Sequence, residues 1–136
     1  MIDIKKYNLL IVDDDDALRN TIVFDFKRKG FNVLSADNGA SALEIVKQSK
    51  IDLVLSDIRM PGGDGMSLLE AIRRIDPKIP VLIFITGFAD YTEAQCIAKG
   101  AMKVVAKPFD RAALLSSVMG ALEVVTSERE LREAAL

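Results

Sequence analysis

Five short apolar runs alternate along the chain with longer stretches whose apolar residues recur at helical spacing. The runs occupy 9–12, 31–35, 52–56, 81–85 and 103–106. Their apolar character is nearly unbroken, which is typical of strands buried on both faces of a parallel sheet. Strict alternation of strand and helix therefore predicts an α/β fold with helices covering both faces of that sheet.

The stretches between the runs predict helices over about 15–29, 39–48, 66–75 and 91–99, with a last helix beginning near Asp110. Gly30 and Gly100 supply stop signals, and Asp76-Pro77 ends the third helix. Crossovers between parallel strands are right-handed. We therefore expect a flavodoxin-like, doubly wound, five-stranded sheet in the order 2-1-3-4-5.

The length of 136 residues, half of them apolar, fits one domain that buries a core of its own. We place this domain over 1–123 and interpret 124–136 as a C-terminal helical extension or linker. Ser127 and Glu130 fit a capping box, so a new helix could begin there instead of the last helix continuing.

Charge and composition exclude several classes of function. The net charge is -2, with both signs mixed along the chain, so we expect no direct binding of nucleic acid, which needs a basic face. No apolar run approaches the roughly 18 residues of a membrane span, and the start does not resemble a signal peptide. A single cysteine, Cys96, fits a reducing compartment. We expect a soluble cytoplasmic protein that does not contact membranes.

Polar residues follow four of the predicted strands at the point where each strand ends. Asp13 and Asp14 follow the first strand, Asp57 the third, Thr86 the fourth and Lys107 the fifth. Ligands of doubly wound sheets bind beyond the carboxyl ends of the strands, near the switch in strand order. Because the first and third strands are neighbours in the predicted order, the three aspartates should meet in one crevice.

This set of residues indicates phosphoryl transfer. Clustered carboxylates resist ionising together unless a cation neutralises them. The chain has no histidine, and an oxygen-only ligand set favours Mg²⁺, with Mn²⁺ as the alternative. A lysine and a hydroxyl beside such an ion neutralise and position a phosphoryl group, which a carboxylate can accept.

Four segments, 11–15, 56–65, 85–87 and 107–109, resemble the motifs of receiver domains in bacterial two-component response regulators. The similarity runs from about 9 to 122, in the same order and spacing. It implies that Asp57 is the phospho-acceptor. It also implies a metal site formed by Asp13, Asp14, Asp57 and the backbone carbonyl of Arg59.

The same resemblance implies that Thr86 hydrogen-bonds one phosphoryl oxygen, that Lys107 pairs with another, and that the Lys107-Pro108 peptide is cis. The phosphoryl group would come from a sensor histidine kinase or a histidine phosphotransfer protein. It would switch an interaction face formed by the fourth helix, fifth strand and fifth helix, through which a homodimer could form. Such a protein is a signalling switch that catalyses only its own phosphorylation and slow self-dephosphorylation, not an enzyme with a separate substrate.

Three positions depart from the pattern or modify it. Val104 stands where the family commonly has an aromatic residue that moves on phosphorylation. Arg59 and Phe88, each two residues beyond a site residue, are bulky. We interpret them as slowing the access of water to the acyl phosphate.

Other functions remain open at this level. A phosphatase of the haloacid dehalogenase type shares the nucleophile, metal and lysine, but 13–17 ends in alanine where that family has Thr or Val. A flavin-binding electron carrier shares the fold, yet four consecutive aspartates would repel the flavin phosphate. A receiver that switches by docking alone, without phosphorylation, would keep the fold and lose the chemistry.

Overall fold

The computed structural model describes residues 2–87 and 90–136. Its strands are β1 (Asn8–Val12), β2 (Asn32–Ala36), β3 (Leu53–Ser56), β4 (Val81–Thr86) and β5 (Lys103–Ala106). All neighbouring strands pair in parallel, and the sheet order is β2-β1-β3-β4-β5. The predicted fold class and strand order are confirmed.

Five α-helices connect and follow these strands. They are α1 (Asp16–Lys29), α2 (Gly39–Gln48), α3 (Gly65–Ile75), α4 (Glu93–Ala98) and α5 (Arg111–Ala134). Each begins after a residue whose side chain accepts a hydrogen bond from a backbone N–H of the first turn, which satisfies a donor that the helix cannot. These N-caps are Asp15, Asn38, Asp64, Thr92 and Asp110.

Successive strand residues point to opposite faces of the sheet and form two separate cores. On one face Leu10, Val54 and Leu82 pack with side chains of α2, α3 and α4. On the other, Leu9 and Ile83 pack with α1 and α5. Both faces are therefore covered, and the central strands β1, β3 and β4 are buried along nearly their whole length for that reason, whereas the outer strands β2 and β5 are partly exposed.

The structure departs from the predicted elements in two places. A short 3₁₀ helix, Ile4–Lys6, precedes β1 and was not predicted. Helix α4 is shorter than predicted, beginning at Glu93 and ending at Ala98. Of the two alternatives for the end of the chain, the last helix continues, since α5 runs to Ala134 and no new helix begins at Ser127.

The part of α5 over 124–134 is called the α5 extension below. Near its start, Val125 is fully buried in the same core as the rest of α5. Within the described residues no helix is long and apolar enough to cross a membrane.

Candidate functional site

The strand register brings the predicted site residues to one edge of the sheet. Val12 and Ser56 are paired neighbours, so Asp13 and Asp57 leave β1 and β3 side by side. The Asp57 backbone N–H donates to Val12 O at 3.0 Å, which extends the pairing by one residue.

Asp57 is held in a fixed position. Its side chain is buried, and Oδ1 accepts a hydrogen bond from the backbone N–H of Ile58 at 2.7 Å. Its carbonyl oxygen accepts from the Ser56 hydroxyl, also at 2.7 Å. The Gly65 backbone N–H donates to Ile58 O at 2.6 Å and closes the loop after β3. Only Oδ2 remains to face the other strand ends.

Lys107 bridges two aspartates across the edge. Its Nζ donates to Asp57 Oδ2 at 2.8 Å and to Asp13 Oδ2 at 2.9 Å. Burial lowers the pKa of the Lys107 ammonium, but the hydrogen bonds and charges of the two carboxylates outweigh burial and raise its pKa above the ordinary value. Lys107 is therefore a permanent cation beside Asp57.

Asp13, Asp14 and Asp57 form an acidic cluster, in which one carboxylate oxygen of each lies within 4.8 Å of the others. Asp13 and Asp57 are buried, while Asp14 is exposed to solvent. Three carboxylates outnumber the single ammonium of Lys107, and hard oxygen donors at this spacing suit a small divalent cation. The donor set therefore fits Mg²⁺.

The first of these aspartates is braced by α1. Asp13 Oδ1 accepts from the Asp15 backbone N–H at 2.9 Å, and the Arg19 guanidinium donates to Asp13 O at 2.8 Å. Arg19 also pairs with Asp16 at 2.6 Å. Asp15 is the N-cap and Asp16 an exposed first-turn charge. Sequence reasoning missed Arg19; the only signal was its position three residues after Asp16.

The remaining predicted residues lie around this cluster. Thr86 is buried at the end of β4, and its carbonyl accepts from the Lys107 backbone N–H at 3.0 Å. The Lys107-Pro108 peptide is cis, as predicted. The Arg59 side chain is largely exposed and pairs with Asp90 at 3.1 Å.

Of the other two positions that depart from the family pattern or modify it, the structure describes one. Val104 is partly buried in β5. Phe88 lies outside the described residues.

The fold and the site residues at the carboxyl ends of the strands together define a class of protein. A doubly wound sheet in the order 2-1-3-4-5, with a buried aspartate tied to a lysine and set in an acidic cluster, is the architecture of a CheY-like receiver.

Comparison with known proteins supports the same class. The family described as response regulator receiver domain matches residues 9–119. The transcriptional regulatory protein GlrR of Escherichia coli is 34% identical over 119 residues, covering 88% of this chain and 27% of GlrR. The chain thus spans about a quarter of the length of this relative.

Solved structures agree. NtrX from Brucella abortus superposes with a TM-score of 0.84 at 27% identity, covering 94% of this chain and 30% of NtrX. The response regulator TrrA from Thermotoga maritima, solved in complex with Mg²⁺ and BeF, gives a TM-score of 0.75 at 28% identity over 85% of this chain and 98% of TrrA. The chain belongs to the response regulator receiver family.

Proposed function

We propose that this receiver accepts a phosphoryl group on Asp57 as a step of two-component or phosphorelay signalling. The observation that carries the proposal is the Asp57 carboxylate, buried and held between the Ile58 N–H and the Lys107 ammonium. A carboxylate fixed in this way is oriented as a nucleophile, and its partner cation is already in place.

We infer that the phosphoryl donor is a phosphohistidine of a sensor histidine kinase or histidine phosphotransfer protein; since the chain itself has no histidine, that residue belongs to the partner. The P–N bond of the donor breaks as a P–O bond to the Asp57 carboxylate forms, and the imidazole leaves with the electron pair of the broken bond. Lys107 offsets the charge that accumulates on the transferred group, as a preorganised cation does at a buried site.

Asp13, Asp14 and Asp57, with the backbone carbonyl of Arg59, would hold Mg²⁺ or Mn²⁺ at this edge. A bound divalent ion neutralises carboxylate and phosphoryl oxygens together and so lowers the electrostatic barrier to their approach. The spacing of the acidic cluster and the Mg²⁺ complex of the related TrrA support this assignment.

Thr86 would donate its hydroxyl to a phosphoryl oxygen, which would draw the end of β4 toward Asp57. That contact exists only in the phosphorylated state, so it shifts the population between two surface states. Val104 packs against the core but has no ring to follow Thr86. The switch is therefore assigned to movement of the loop and helix after β4, without a coupled aromatic side chain in β5.

The switched surface is the face of α4, β5 and α5. Ile97 and Met102 are exposed on it, 49% and 37% respectively, and supply apolar contact area for a partner or a second copy of the chain. We expect a homodimer through this face when Asp57 is phosphorylated. Sedimentation velocity with and without phosphorylation tests this, and a monomer in both states would contradict it.

The protein acts as a cytoplasmic switch whose only chemistry is its own phosphorylation and slow dephosphorylation. Its mixed charge, net -2, gives no reason to expect a basic face, so we expect no direct nucleic-acid contact by these residues. We also expect no membrane contact.

Intact-mass spectrometry after incubation with Mg²⁺ and acetyl phosphate tests the proposal. We expect a gain of one phosphoryl group, lost in Asp57→Asn because an amide is not a phosphoryl acceptor. Asp16→Asn, which removes an exposed carboxylate near the site, is the matched control and should be phosphorylated like the wild type.

Failure of the wild type to gain mass would favour a receiver that switches by docking alone. Multiple-turnover hydrolysis of a small phosphate ester would favour the phosphatase. A yellow purified protein would favour the flavin carrier.

A further inference from the structure

A second buried aspartate lies at the opposite edge of the sheet, far from the acidic cluster. Asp52 immediately precedes β3 and is fully buried. Its backbone N–H donates to Asn8 O, and its carbonyl accepts from the Val81 N–H, both at 3.0 Å. It therefore sits at the start of the three central strands, where water does not reach it.

The carboxylate of Asp52 has one cation beside it. Oδ2 accepts from the Asn8 backbone N–H at 2.6 Å, while Oδ1 contacts the Arg129 guanidinium. No other donor in the described residues reaches Oδ1. A buried carboxylate without a counter-charge is strongly unfavourable, so the structure depends on Arg129 remaining at this place.

Arg129 belongs to the α5 extension, which has further contacts with the same edge. The hydroxyls of Thr126 and Tyr7 are hydrogen-bonded at 2.5 Å. Arg132 forms two hydrogen bonds with Asp76, at 2.8 and 2.9 Å, and these lower the pKa of Asp76 well below its ordinary value. The extension is thus connected to the segments before β1, β3 and β4.

These contacts differ in strength. Arg132 is 43% exposed, and exposed ion pairs contribute little to stability because water screens them. A helical segment as short as the extension is marginal in water without packing. Beyond Val125 and Thr126, which anchor the first residues of the extension, the contact between Arg129 and the buried Asp52 is therefore the one that can hold the rest of it in place.

We propose that Asp52 and Arg129 form a buried latch that makes the α5 extension a fixed arm of the receiver. The α5 extension then projects in a single fixed direction from the edge of the sheet opposite Asp57, and it does not act as a flexible linker. β3 lies between the two sites, with Asp52 before its first residue and Asp57 after its last. This inference does not depend on phosphorylation of Asp57.

Hydrogen exchange tests the latch. In Arg129→Met, which keeps the length of the side chain and removes its charge, we expect amides of the α5 extension to exchange at least about tenfold faster than in the wild type. Arg132→Met is the matched control one turn later and should change the rates by less than about twofold, because Arg132 is 43% exposed and water screens its ion pair. Equal rates in Arg129→Met and the wild type, or equal effects of the two substitutions, would overturn the latch.

The double variant Asp52→Asn with Arg129→Met tests whether Arg129→Met is destabilised because the Asp52 carboxylate has lost its counter-charge or because the substitution damages the fold in general. It no longer buries an uncompensated charge, so we expect it to unfold at higher denaturant concentration than Arg129→Met alone. A double variant less stable than Arg129→Met would contradict the pairing.

The direction of the arm is measured by spin labels on Gln48→Cys and Glu133→Cys in a Cys96→Ala background. We expect one narrow distance distribution, which broadens when Arg129→Met is added. A distribution already broad with Arg129 present, or one left narrow without it, would show that the latch does not fix the arm.

Discussion

At the scale of single residues, Gly65 is required by the backbone of the phospho-acceptor loop. A Cβ at this position would lie 2.1 Å from Asp57 O, 2.9 Å from the Phe84 ring and 3.0 Å from Ile58 Cα. Two of these three neighbours are backbone, which cannot rotate away. We expect Gly65→Ala to lower the free energy of unfolding by about 2 kcal/mol or more, at the upper end of overpacking effects. Urea denaturation measures this change.

Gly120→Ala is the matched control for that substitution. Gly120 is inside α5, and its added Cβ would meet only the end of the Met102 side chain, at 4.0 Å. Alanine should stabilise the helix there by about 0.5–1 kcal/mol. If both substitutions shifted the urea midpoint in the same direction, the close approach at Gly65 would not be the cause.

We expect Arg59 to affect the lifetime of the phosphorylated state. Its guanidinium pairs with Asp90 at 3.1 Å and so connects the loops after β3 and β4. We expect Arg59→Asn to lose phosphate faster, because a shorter side chain leaves water a path to the acyl phosphate. Phe88→Ala should act in the same direction. The decay of phosphoprotein after removal of acetyl phosphate measures both.

Arg74→Asn, an exposed arginine of α3, is the control for those decay rates. A phosphate lifetime unchanged in both Arg59→Asn and Phe88→Ala would reject the idea that bulk at these positions excludes water.

The acidic cluster could be predicted from the sequence because its aspartates directly follow apolar runs. These runs form parallel strands, whose carboxyl ends meet at the same edge of the sheet. It did not predict Asp52, which the sequence placed as an ordinary first strand residue. Asp52 and Arg129 are far apart in the chain, and nothing local marks either as buried. A charge pair formed by tertiary packing leaves no periodic signal.

At the scale of elements, strand positions were predicted within about one residue, since each apolar run ends at a polar one. Helix α4 was predicted too long because Tyr91 and Lys99 continue the helical pattern. The Thr92 hydroxyl instead caps the helix by accepting from the Gln95 N–H at 3.1 Å, and Gly100 ends it with a φ of +111°. Cap geometry, not apolar periodicity, fixes the bounds of so short a helix.

In helix α5 a local start signal is present but does not interrupt the helix. Ser127 and Glu130 match a capping box, yet the helix passes through both. Val125 is buried in the core and Arg129 reaches Asp52, so ending the helix between them would lose the contact of Arg129 with Asp52. Tertiary packing outweighs a local start signal whenever the continuing helix buries more.

At the scale of the whole molecule, the two edges of the sheet handle buried charge differently. At the amino edge Asp52 has a matching cation in Arg129. At the carboxyl edge three aspartates share one lysine, which leaves an excess of negative charge. The first edge has its counter-charge within the fold, whereas at the second a bound cation would offset the excess.

This excess predicts that Mg²⁺ stabilises the folded protein through the acidic cluster. A ligand that binds only the native state at about a hundred times its Kd adds about 2.7 kcal/mol to stability. We expect Asp14→Asn to lose most of the rise in Tm that MgCl₂ causes, and to be at least as stable as the wild type without Mg²⁺, because one repulsive charge is gone. Asp15→Asn, which keeps a capping side chain outside the cluster, should retain the rise. Scanning calorimetry in MgCl₂ and in KCl of equal ionic strength measures the difference, and an equal rise in Asp14→Asn and the wild type would show that the ion binds elsewhere.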